Sequence, residues 1–214
     1  MEDIVFRSPK KKGKIAVFLS GRGSNFQAIH NSILEGNINA EIILVFSNKA
    51  DAKGLHIAKE RNLETLFFNP KDFPSKLDYD KAIIEELHKR DVDLICLAGY
   101  MKILTPTFCQ EFNLRIMNIH PALLPSFPGL HVQQKAIEWG VRYSGATVHF
   151  VTPEVDMGPI ILQAVVPVLQ DDTEETLSDR ILKEEHKIYS QAVKLYFEGR
   201  LEVRGRKVYI KEVS

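Results

Sequence analysis

The chain has 214 residues, enough for one large domain with a sizeable buried core. Its 28 Lys and Arg balance 28 Asp and Glu, so no charge excess draws it to nucleic acid or to an anionic membrane. Cys96 and Cys109 lie too far apart to suggest a zinc site, no apolar run is long enough to cross a bilayer, and the N-terminus lacks the apolar block of a secretory signal. A cytoplasmic protein without a metal is expected.

Residues 1–13 read as a polar tail ending in Lys10, Lys11 and Lys12, and residues 14–200 as the main domain. Lys14 to Leu19 is an apolar, β-branched strand; the turn Ser20-Gly21-Arg22-Gly23 follows, with Ser24 as a helix N-cap and Phe26, Ile29, Ile33 and Leu34 at helical spacing. Strands are expected at Glu41–Ser47, Leu63–Phe68, Leu94–Ala98, Arg115–Ile119, Ala146–Val151 and Ile160–Val168. Helices are expected around Leu55–Arg61, Tyr79–Arg90, Val132–Trp139 and Thr173–Glu198, with a short one capped by Thr105 with Pro106 in its first position. Residues 201–214 carry a closing hairpin with Arg204-Gly205 at its centre.

Strands that alternate with helices predict an α/β fold, a mainly parallel twisted sheet of Rossmann-like type with helices on both faces. The later strands are open to antiparallel pairing.

Gly21 to Asn25 places backbone N–H groups at a helix start, a setting that favours a phosphate. A dinucleotide fingerprint would need a third glycine where Phe26 stands and an acid at the end of the next strand, where Ser47-Asn48 stands. The Gly-Lys-Ser or Gly-Lys-Thr of a nucleotide-hydrolysing loop is missing too. A single phosphate on a small metabolite and a tight turn without ligand both stay open.

The stretch Arg115 to Gly129 is where the chemistry is placed. A short strand ends at His120, and Pro121, Pro125, Pro128 and Gly129 then impose a stiff loop. Asn118 and His120 are thereby delivered to the carboxyl end of a strand, the edge where ligands bind in open α/β sheets. Asp156, in the loop Thr152 to Gly158, is the candidate partner for the imidazole, which a nearby carboxylate would hold as imidazolium. No serine elbow, cysteine nucleophile or metal-ligand cluster competes with Asn118, His120 and Asp156. Lacking a nucleophile of its own, the trio fits direct attack by a substrate group on a carbonyl.

Four segments carry a resemblance: GRGSNFQAI from Gly21, LAGYMKIL from Leu97, NIHPALLPSFPG from Asn118 and VHFVTPEVDMGPIILQ from Val148. From about Lys14 to Gly205 the chain resembles the folate-dependent formyltransferase family, and the last two segments favour its purine-synthesis member. The resemblance implies transfer of a formyl group from the co-substrate 10-formyltetrahydrofolate to the amine of glycinamide ribonucleotide, with no metal. It implies that His120 gives protons, Asn118 binds the formyl oxygen and Asp156 raises the histidine pKa. Gly23, Ser24 and Asn25 match the phosphate positions, and Glu185 matches a ribose contact. Lys76, Met101, Lys102, Ile103, Leu104 and Asn118, with the Thr152 to Asp156 loop, match the folate site. Two positions depart from the family pattern: Lys76 replaces a frequent arginine, which loses bidentate carboxylate geometry, and Ala122 replaces a common serine.

Only small-molecule partners are expected, with no nucleic acid and no membrane, and the chain as a monomer or weak homodimer. A formyltetrahydrofolate deformylase would be expected to carry a further N-terminal domain. A methionyl-tRNA formyltransferase would add a C-terminal domain and a basic face. A non-catalytic binding domain would lose part of the trio.

Overall fold

A computed structural model describes residues 4–6 and 11–212. In chain order its strands are β1 Ile4–Val5, β2 Gly13–Leu19, β3 Ala40–Ser47, β4 Thr65–Phe67, β5 Leu94–Leu97, β6 Ile116–His120, β7 Tyr143–Phe150, β8 Ile160–Pro167, β9 Leu201–Arg204 and β10 Lys207–Ile210. The helices are α1 Ser24–Leu34, α2 Lys53–Glu60, α3 Lys76–His88, α4 Pro106–Glu111, α5 Val132–Glu138 and α6 Glu174–Phe197. The expected α/β fold is found. The chain forms two compact units, one ending at Met117, the other beginning at Asn118 and taking in β1; the boundary lies inside the span 14–200.

The first unit is a parallel sheet in the order β5-β2-β3-β4. β2 is buried along nearly its whole length, which is why it reads as a continuous apolar run and not as an alternating one. Phe18 stacks within 4.7 Å of Phe46 and 5.3 Å of Tyr100, ring centre to ring centre. Each such fully buried ring contributes about 2–3 kcal/mol of apolar burial.

The second unit contains the antiparallel pairings anticipated for the later strands. β7 pairs antiparallel with β8, and the hairpin β9–β10 forms as expected, turning at Gly205 with φ 59°. Part of the expected polar tail is instead strand: Ile4 and Val5 pair antiparallel with β9, and Phe6 lies 5.5 Å from Phe150 and 5.0 Å from Tyr196. Half-buried Phe6 gains from this ring packing what a polar residue could not. The lysine run reaches back into residues 7–10, which lie outside the described ones.

Two helix starts differ from expectation. Gly23, not Ser24, is the N-cap of α1: it adopts φ 74°, and a Cβ there would lie 2.9 Å from the Gly54 Cα, so only glycine fits. α3 begins three residues early, because the Ser75 hydroxyl accepts from the Asp78 N–H at 3.1 Å and starts the helix at Lys76. α4 starts at the expected Thr105 cap and Pro106, and α6 starts with a capping box between Thr173 and Thr176. Among the described residues no helix is long and apolar enough to cross a membrane.

Candidate active site

β6 ends in the second unit with Asn118 half-buried and His120 buried. The proline-rich loop beyond it is tied to β7 through one hydroxyl. Thr147 Oγ1 donates to the Ala122 carbonyl at 2.7 Å and accepts from the Leu124 N–H at 3.1 Å and the Gln163 amide at 3.0 Å. One donor and two lone pairs are thus all used. The Gln163 amide also reaches the Leu124 carbonyl at 2.9 Å, and the Leu124-Pro125 peptide bond is cis. Ala122 is fully buried and takes part through its carbonyl.

The structure brings the sequence-predicted trio together. Asp156 adopts φ 55°, a left-handed conformation that Asp tolerates, and accepts from the Gly129 N–H through Oδ2 at 2.9 Å. The same oxygen lies 3.5 Å from His120 Nδ1. On its other edge His120 Nε2 is 2.8 Å from the Phe127 carbonyl. A carbonyl only accepts, so Nε2 carries the ring proton and Nδ1 of the neutral ring turns its lone pair towards the carboxylate.

A fourth residue, His149, belongs to this cluster. Its Nδ1 is 2.9 Å from the Phe150 carbonyl, which assigns the proton to Nδ1 and leaves Nε2 to accept from Asn118 Nδ2 at 3.2 Å. That contact fixes which way the Asn118 amide points. His149 Nε2 also lies 3.7 Å from Asp156 Oδ1, so the second histidine borders both the carboxamide and the acid. In the sequence His149 is a lone strand histidine; its only signal is its place in VHFV, a few residues before Asp156.

Burial pushes the His120 imidazole below its ordinary pKa. The Phe127 carbonyl and the Asp156 carboxylate pull it upwards but are outweighed, while a proton on the neighbouring His149 and the Lys135 charge act to lower it further. The expectation that Asp156 holds His120 as an imidazolium is therefore corrected: desolvation wins and the neutral ring is favoured. For Asp156, burial raises the pKa, but the two adjoining histidines whenever either is protonated, His149 above all, together with the Gly129 N–H, hold it below the ordinary carboxylate range. It is ionised at neutral pH.

The remaining predicted positions are placed as follows. Glu185 is buried on α6, among the buried positions Ile181, Ile188 and Tyr189 of the second unit. In the first unit, Gly23 and Asn25 are buried and Ser24 half-buried at the start of α1, whose first-turn N–H groups lack acceptors within the helix. Nearby, Gly54 N donates to the Gly21 carbonyl at 2.9 Å and fixes the turn. A cavity of about 530 Å³, also within the first unit, is lined by Lys76, Met101, Lys102 and Ile103, joined by Phe73 and Tyr79. Leu104 is buried and does not line it. Phe73 and Tyr79 are additions to the sequence reading; the Tyr79 phenol is pushed up to about 12, by burial above all, and stays protonated. The cavity thus combines exposed cations with aromatic and apolar walls.

Comparison with known proteins decides the family. A family model for formyl transferases matches residues 13–193. The chain belongs to the formyl transferase family. It is an enzyme of that family. This formyl transferase is 47% identical over 197 residues to the phosphoribosylglycinamide formyltransferase of Haemophilus influenzae, covering 92% of this chain and 93% of that protein. Against the human trifunctional purine biosynthetic protein adenosine-3 it is 43% identical over 209 residues, 97% of this chain but 21% of the human protein, so it spans about a fifth of that relative. Glycinamide ribonucleotide transformylase 1 from Symbiobacterium toebii has the same fold at TM-score 0.93 and 48% identity, with 95% and 96% of the two chains covered. A formyltetrahydrofolate deformylase from Pseudomonas syringae shares the fold at TM-score 0.87 but only 26% identity, over 95% of this chain and 67% of that one.

Proposed function

We propose that this formyl transferase moves the formyl group of 10-formyltetrahydrofolate to the amine of glycinamide ribonucleotide in purine biosynthesis, in the cytoplasm, with small molecules as its only partners. The observation that carries the reading is the cluster of Asn118, His120 and Asp156 around a buried, largely neutral imidazole beside an ionised carboxylate. The 47% identity with the Haemophilus enzyme supports the choice of acceptor, whereas the deformylase is more distant at 26%.

In this reading the substrate amine attacks the formyl carbon, and negative charge develops on the formyl oxygen. The Asn118 amide, oriented by His149, stabilises that oxygen by a hydrogen bond; loss of one such donor costs about a hundredfold in rate. A neutral His120 takes the proton released by the amine and returns one to the departing folate nitrogen. Asp156 stabilises the charge that His120 carries between the two transfers. No group on the protein is acylated, in keeping with a cluster that offers no nucleophile.

The cavity suits the folate. Phe73, Tyr79, Met101 and Ile103 provide an apolar channel for the flat part of the molecule, and Lys76 and Lys102 provide cations for its carboxylates. The turn from Gly23 to Asn25 serves the ribonucleotide phosphate, and Glu185 serves its ribose. The phosphate assignment has a direct test by calorimetry. Glycinamide ribonucleotide should bind at least about tenfold more tightly than the riboside lacking the phosphate, as expected for loss of a charge-assisted contact. Equal affinities would refute it.

A further inference from the structure

The segment 101–104, between β5 and α4, forms one rim of the cavity and exposes two large apolar side chains, Met101 at 64% and Ile103 at 60%. These exposed side chains bury too little surface to offset the entropy of ordering the backbone, which leaves Leu104 as the one buried side chain of the segment. Two side-chain acceptors hold its ends in addition. At the first end the Ser20 hydroxyl, itself buried, accepts from the Met101 N–H at 2.8 Å. Its proton is committed to Asn48 Oδ1 at 2.5 Å, so a lone pair is left aimed at Met101. The Ser20 N–H also donates to the Gly99 carbonyl at 3.0 Å, which fixes the strand end from which the segment leaves.

At the other end Asp80, on α3 and only 2% exposed, accepts from the Thr105 N–H through Oδ2 at 2.7 Å. A buried carboxylate is costly to keep, and it is kept here where it forms a short charge-assisted bond to a backbone N–H. Asp80 also lines the cavity, as do Ser75, Lys76 and Tyr79 from the start of its helix. The tether therefore links two segments that line the cavity, the start of α3 and the stretch from Met101.

We infer that Ser20 and Asp80 are positioning residues for folate affinity, fixing the two ends of 101–104 so that Met101, Lys102 and Ile103 meet the co-substrate. This rests on reading the cavity as the folate site. Neither residue touches the reacting atoms. Their loss raises the concentration of folate required and leaves the chemical step in place.

The experiment compares the 214-residue protein with Asp80→Ala, Asp80→Asn and Ser20→Ala, using tetrahydrofolate as the titrated probe. Asp80→Ala is expected to weaken tetrahydrofolate binding about tenfold, and Asp80→Asn, whose amide oxygen still accepts from Thr105, by less than about threefold. Turnover at saturating formyl donor stays within about threefold of the parent in both, because only positioning is lost. In the ligand-free Asp80→Ala protein the Thr105 amide should exchange its hydrogen at least about tenfold faster, the mark of a freed loop end. Should Asp80→Ala fail to fold, Ser20→Ala carries the same expectation, with faster exchange at Met101. Unchanged tetrahydrofolate affinity in a folded variant overturns the inference, as does a fall in turnover equal to the loss of affinity. Failure of the parent protein to bind tetrahydrofolate at all would overturn the folate reading itself, a different result from an affinity that the variants leave unmoved.

Discussion

Removing the charge of Asp156 isolates its effect on His120. The carboxylate pulls the His120 pKa up against burial, so Asp156→Asn should lower that pKa further. With neutral His120 as the base, activity is lost as the pH falls through its pKa; in Asp156→Asn the acid limb of the kcat/KM profile should therefore move to lower pH, with a slower plateau. An acid limb that stays put or moves up would contradict the coupling. His149→Ala makes a separate prediction. It frees the Asn118 amide to rotate and should lower kcat about tenfold while leaving substrate affinities nearly unchanged, because the oxygen-binding donor is misaligned only some of the time. Equal losses in affinity and turnover would point to a collapsed site instead. At this scale His120 was legible because it ends a strand just before Pro121, with Asn118 two residues earlier on the same strand and Asp156 in a turn-rich loop. His149 was not, because strand alternation says that a side chain is buried without saying what it meets. The sign of the His120 shift was not legible either, since desolvation depends on neighbours that only the folded chain supplies.

Among elements, the proline-rich loop after β6 is tied to β7 through Thr147. Thr147→Val keeps the shape and removes the hydroxyl that satisfies the Ala122 carbonyl, the Leu124 N–H and the Gln163 amide. Leaving those groups unsatisfied should cost about 2–3 kcal/mol in denaturant unfolding and slow turnover, since the same loop holds Phe127 and Gly129 against His120 and Asp156. A change below about 0.5 kcal/mol would show that water replaces the hydroxyl at no cost. The strands and helices of the α/β alternation were readable from apolar periodicity, and the α4 and α6 starts from their threonine caps. What escaped were features set by contact at a distance. Ser24 is a good cap by type, yet the approach of Gly54 makes Gly23 the cap. β1 is two residues long and becomes a strand only because β9 is there to pair with it.

For the whole molecule, balanced charge argues against a polyanionic partner. The chain belongs to the formyl transferase family over most of its length, and it covers nearly all of the Haemophilus relative while matching about a fifth of the human one. In the proposed reaction, formyl transfer requires the amine. The most direct measurement follows release of tetrahydrofolate from 10-formyltetrahydrofolate by absorbance, with and without glycinamide ribonucleotide. Release is expected only when the amine is present, in equal amount to formylated ribonucleotide. Release without the amine, yielding formate, or no release in its presence, would contradict the proposed reaction.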